Sequence, residues 1–149
     1  MMIQTSEDEI SYLDRLLQKE YLRKLFPDCS AQIQKNTLHA QFIFRDDDLK
    51  DEYHIKVLYE SRNMHKVFIT HPIIIPQIEI HMYPDASLCL YYPPDILLWR
   101  HLWVGKDLIP LAMKWVINYE QWLINGNVWK GKEAPGHNEL LMRIKNQVK

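Results

Sequence analysis

The chain has 149 residues, with 18 Lys and Arg against 19 Asp and Glu, 47% hydrophobic residues and a formal charge of −1. That make-up suits one globular domain spanning 1–149 and gives no global basic field, so direct nucleic-acid binding is not expected. No stretch approaches the roughly 18 apolar residues of a membrane span and the start lacks a signal-like apolar run, so the chain reads as cytoplasmic.

Ser6 and Glu9 have the spacing of a helix capping box, and Ile10, Leu13, Leu17, Tyr21 and Leu25 follow at helical intervals. A first amphipathic helix is predicted to run to about Phe26, where Pro27 and Asp28 break it. Leu38, Ala40, Phe42 and Phe44 then alternate with polar residues, as do Tyr53, Ile55, Val57 and Tyr59. These are antiparallel strands by pattern, and a further strand is expected near Lys66 to Thr70, with exposed loops at Asp46 to Glu52 and Glu60 to His65.

From Ile73 to Tyr92 no clean period is visible, and an ordered, extended segment is expected there. A long helix starts near Asp107 with Pro110 in its first turn and carries Leu108, Leu111, Ala112, Trp115, Tyr119, Trp122 and Leu123 as an apolar stripe. Gly126 suits its end. Trp129 to Gly136 reads as a loop, and Asn138 can cap a last helix bearing Leu140, Leu141, Ile144 and Val148. The order implies an α+β domain with helices packed on one antiparallel sheet.

The chain has two cysteines, Cys29 and Cys89. A structural disulfide is not expected, so each is buried filler or a reactive thiol. Cys29 has no neighbouring His or paired carboxylate and reads as incidental. Cys89 follows a turn signal, Pro84-Asp85-Ala86-Ser87, and stands between Leu88 and Leu90. No metal-ligand spacing surrounds it, and the seven His residues are scattered without a helical metal face, so no metal and no cofactor are expected. Asp46-Asp47-Asp48 lacks the ligand pattern of a calcium loop and reads as a solvated hairpin tip.

At this point the chain resembles the ubiquitin-conjugating enzymes. In them an N-terminal helix and a four-stranded antiparallel meander precede a proline-rich segment, a Cys-Leu pair, a Trp and a crossover helix. The matching positions here are Pro72 and Pro76, Cys89-Leu90, Trp99 and the helix from Asp107. The closest resemblance is to the short bacterial members found in type II CBASS anti-phage operons. It is carried by His81, Tyr83-Pro84-Asp85 and Leu88-Cys89-Leu90-Tyr91, then by Trp115, Tyr119-Glu120, Trp122-Leu123, Gly126, Trp129, Gly131 and His137.

The resemblance implies a conjugating-enzyme-like fold with C-terminal helices. It also implies a thioester between Cys89 and the C-terminus of a partner CD-NTase, the synthase of cyclic oligonucleotides, which is then regulated by conjugation. The Cys89 thiolate attacks an activated carbonyl, and an amine resolves the thioester. Where that superfamily has the asparagine of a His-Pro-Asn motif, eight residues before the cysteine, this chain has His81. His81 can donate to an oxyanion, accept a proton or serve structurally.

His137 is a second candidate activator. Tyr83, Asp85, Trp129, Gly131 and His137 are expected to bind the partner's tail or support the site, with the 129–137 segment folding near Cys89. Two other readings stay open: a binding module that holds the CD-NTase without covalent chemistry, and a thiol hydrolase with a Cys-His pair.

Overall fold

Among the residues that a computed structural model describes, 7–91 and 102–129, the chain opens with helix α1 (Glu7–Leu25). Arg23 and Lys24 stand in its last turn, where cations favour the carbonyl end of the helix dipole. The predicted period is present but the buried face is a different one. Ile10, Leu13, Leu17, Tyr21 and Leu25 are exposed, whereas Arg15, Gln18 and Leu22 are buried.

The reason is polar anchoring. The Gln18 side-chain oxygen accepts the Val104 N–H at 2.9 Å, and Arg15 Nη1 donates to the Glu60 carbonyl at 2.9 Å. One turn beyond Gln18, Leu22 approaches Gly105 so closely that a Cβ at Gly105 would lie 3.1 Å from the Leu22 Cα.

Four strands follow, β1 (Ser30–Gln34), β2 (Thr37–Phe44), β3 (Tyr53–Ser61) and β4 (Met64–His71), paired antiparallel in chain order. The register sets Leu38 against Tyr59, Ala40 against Val57 and Phe42 against Ile55. The alternating residues predicted for β2 and β3 thereby share the core face, and Leu38, Ala40, Ile55, Val57 and Tyr59 are essentially fully buried. Strand β1 escapes a pattern reading because Ala31 and Ile33 are its apolar residues. The loop expected at Glu60 to His65 is shorter than predicted, since β3 runs to Ser61 and β4 begins at Met64. Asp46 does close an exposed turn, its carboxylate accepting the Asp48 N–H at 2.9 Å.

A π-helical turn (Val104–Leu108) leads into α2 (Ile109–Ile124), with Pro110 near its start. Leu108, Ala112, Trp115 and Trp122 are buried as predicted, joined by Ile109 and Val116, while Leu123 is exposed. Gly126 has φ +68°, the left-handed conformation that favours glycine after a helix end. Glu120 ties α2 to the loop before β3. Its buried carboxylate accepts the Lys50 N–H at 2.9 and 3.0 Å and the Tyr53 hydroxyl at 2.8 Å. The expected last helix from Asn138 lies outside the described residues, as does Trp99.

Candidate active site

Past β4 the chain runs without regular structure to a short 3₁₀ turn, Ile78–Ile80, and then folds back on itself. The Tyr83 N–H donates to the Ser87 carbonyl at 2.8 Å, and the Cys89 N–H donates to the His81 carbonyl at 2.8 Å. Residues 81–83 and 87–89 are therefore the arms of a small hairpin, with Met82 opposite Leu88.

The Pro-Asp-Ala-Ser turn signal is the tip of this hairpin. One Asp85 oxygen accepts the Ser87 N–H at 2.9 Å and the Ser87 hydroxyl at 2.6 Å. The other accepts Lys66 Nζ of β4 at 2.6 Å. That ion pair, with the two Ser87 bonds behind it, pushes the Asp85 carboxyl down to about 2.

The hairpin is moored to the sheet as well, because the Leu88 N–H donates to the Val67 carbonyl at 2.8 Å and Ser87 bridges to Phe68. Alternation then sorts the side chains. Met82, Leu88 and Leu90 are buried, and Cys89, between two buried leucines, is left half-buried. A rigid placement of the thiol follows, since its neighbours on both sides are core residues.

Around the sulfur the chemistry is phenolic. The Cys89 thiol donates to the Tyr91 carbonyl at 3.8 Å, and the Tyr83 phenol stands close enough to the sulfur to sense it. Burial first, then the neighbouring sulfur, push the Tyr83 phenol well above its ordinary value. Burial and the Cys89 charge push Tyr91 up to about 12. The Tyr91 hydroxyl bonds His65 Nε2 of β4, and the His65 ring stacks on Tyr59 at 6.0 Å. A cavity of about 500 Å³ opens here, lined by Asn63, His65, Lys66, Tyr83, Leu88 and Tyr91 among others.

His81 is 7% exposed and takes a left-handed backbone, φ 60°. Its ring lies 5.0 Å from that of Trp129, which is 6.0 Å from Trp115. Trp115 in turn donates from Nε1 to the Ile80 carbonyl at 2.6 Å. His81 thus meets Cys89 through the backbone, and its ring lies against Trp129.

Of the residues singled out in the sequence, Cys89, Tyr83, His81 and Trp129 fall in one neighbourhood. Asp85 stands at the hairpin tip, turned to Lys66. Gly131 and His137 lie outside the described residues. Cys29 lies apart, just after α1, where burial raises its thiol against the opposing pull of Arg23. His65 is the neighbour that sequence reading missed. It sits 26 positions from Tyr91, and no local signal joins two residues so far apart. Among the described residues no group of three or more His, Cys, Asp or Glu is placed to hold a metal ion, and no helix is long and apolar enough to cross a membrane.

A family model described as the type II CBASS E2 protein matches residues 18–138. The chain belongs to that family. The match reaches well beyond the motif-bearing stretch from residue 71, taking in the second half of α1 and the whole sheet of this CBASS E2 chain. No curated protein and no solved structure matches it. As a CBASS E2 protein it is of conjugating-enzyme type, and its half-buried cysteine, the nearby Tyr83 phenol and the cavity bordered by the same hairpin are the features with which such chemistry has to be reconciled.

Proposed function

We propose that this chain is a thioester-forming transferase of a bacterial CBASS system, acting through Cys89 on the C-terminus of its partner CD-NTase. The Cys89 sulfur adds to the carbonyl carbon of an activated C-terminal acyl group. The C–S bond forms and the activating group departs with its electron pair. A lysine amine or another nucleophile then adds to the thioester, and the sulfur leaves as the thiolate. Conjugation of this kind regulates the synthase.

The observation that carries this reading is the placement of Cys89. It is half-buried rather than sealed in the core, the Tyr83 phenol stands near it, and its hairpin borders a cavity. A cysteine that merely filled space would have apolar neighbours and no solvent. Family membership supports the conjugating type and, with it, the CD-NTase as partner. His81 is proposed to support the site through its carbonyl, which accepts the Cys89 N–H. Tyr83, Asp85 and Trp129 are proposed to shape the approach of the tail, with Gly131 and His137 downstream in the same motif.

The test is mass spectrometry of the chain co-expressed with its CD-NTase. A thioester gives an adduct cleaved by hydroxylamine, absent in Cys89→Ala and present in Cys29→Ala. A stable complex with no adduct in either form refutes the transferase reading and leaves a binding module. Release of a free C-terminal fragment of the synthase points instead to a hydrolase.

A further inference from the structure

The hairpin places more than the cysteine. Residues directly across an antiparallel pair share a side, and so do alternate residues along each arm. His81 is paired with Cys89 and Tyr83 with Ser87, so Tyr83 and Cys89 belong to one side of the hairpin, diagonally opposed. The side chains facing that side divide up their partners. Ser87 Oγ donates to Asp85, Asp85 also holds Lys66, the Tyr91 hydroxyl bonds His65, and the His81 ring lies against Trp129. The Tyr83 phenol, on the same side as Cys89, stands close enough to the sulfur to sense its charge.

We propose that the Tyr83 hydroxyl is the hydrogen-bond donor that stabilises the Cys89 sulfur as a thiolate, both when it attacks and when it leaves. The proposal rests on Cys89 being the nucleophile. When the thiol ionises, its proton passes to water and the negative sulfur accepts the Tyr83 O–H. When an amine resolves the thioester, the C–N bond forms, the C–S bond breaks, and the electron pair returns to the same sulfur beside the same donor.

Tyr83 is suited to this because it keeps its own proton. Burial and the adjacent sulfur hold its phenol well above the ordinary value, so it remains a donor throughout the neutral range. A bond that favours the protonated phenol beside an ionised sulfur favours the ionised sulfur to the same extent, because the coupling is reciprocal. Tyr91 differs in that its hydroxyl is engaged by His65, although its ring is close enough to sense the sulfur's charge.

The experiment is pH-dependent alkylation of the full chain by iodoacetamide, read peptide by peptide so that Cys29 serves as an internal control. Tyr83→Phe is expected to raise the Cys89 midpoint by about one pH unit and to slow its alkylation near neutral pH about tenfold. Cys29 and the melting temperature stay unchanged, since Tyr83 is 42% exposed. Tyr83→Leu gives the same direction with a different bulk and decides the matter if the Phe variant does not fold. Tyr91→Phe moves the midpoint less.

An unchanged Cys89 midpoint in the Tyr83 variants, or an equal shift in Tyr91→Phe, overturns the proposal. Alkylation needs no partner, so this outcome is separable from the thioester itself. A shifted midpoint with no adduct in co-expression sinks the transferase reading alone, whereas an unshifted midpoint with wild-type adduct formation sinks the role of Tyr83 alone.

Discussion

Trp115→Phe tests how α2 positions the site. Trp115 is 3% exposed and its indole N–H donates to the carbonyl of Ile80, which is fully buried, at 2.6 Å. Phenylalanine keeps an aromatic ring against Tyr119 and Trp129 but has no donor, so the Ile80 carbonyl is stranded without water. Leaving a buried acceptor unpaired costs about 1–3 kcal/mol. The smaller ring leaves a void worth roughly 1 kcal/mol more.

The sum is about 2–4 kcal/mol. At roughly 2–4 °C per kcal/mol for a domain of this size, the melting temperature falls by about 5–15 °C. Urea denaturation gives the free energy directly, and hydrogen exchange gives the location. Ile80 immediately precedes His81, whose carbonyl accepts the Cys89 N–H, so the Cys89 amide is expected to exchange faster while the amides of β3 follow global stability. A loss below about 1 kcal/mol, with Cys89 exchange unchanged, would show that α2 does not hold the hairpin by this bond.

Glu120→Ala removes the acceptor of the Lys50 N–H and the buried Tyr53 hydroxyl, and a cost of about 3 kcal/mol is expected in urea denaturation, with Glu120→Gln recovering part of it. Asp85→Asn probes the hairpin tip by pH. The folded carboxyl is depressed to about 2 from an ordinary value of 3.8, so its contribution is complete above about pH 4 and is lost as pH falls through about 2. Melting curves of wild type and variant should therefore converge over that window; because the Lys66 pair is largely exposed, their separation at neutral pH should be small. Gly105→Val forces a side chain into the Leu22 backbone, and circular dichroism should show a large loss of stability, with Gly105→Ala milder.

Much of the fold was legible because the sheet alternates and α2 repeats at helical spacing. The core faces of β2 and β3 and the body of α2 needed nothing beyond period and polarity. Helix α1 shows where that reasoning stops. Its apolar period identifies a helix but not which face is buried, and Gln18 and Arg15 are drawn inward by backbone partners in the π-helical turn and β3. Strand β1 was legible through family resemblance alone, since Ala31 and Ile33 are too few to show a period.

At the site, the turn signal at Pro84 to Ser87 falls at the hairpin tip and the leucines around Cys89 are buried, but the pattern predicts an extended segment and the fold-back appears only in the structure. The His65–Tyr91 bond and the stacking of His65 on Tyr59 arise from strand register, which one segment read by itself does not contain. The inward packing of His81 likewise depends on Trp115 and Trp129, far along the chain.

The mooring of Leu88 and Ser87 to Val67 and Phe68 has a use apart from chemistry. In the described sheet β4 is a terminal strand, and a terminal strand with bare amides invites other chains to add on. The hairpin covers part of that rim. Variants that loosen it therefore uncover a sticky border at the moment they disturb the sulfur, and clumping in such a preparation should be checked by size-exclusion chromatography before any lost activity is ascribed to the thiol.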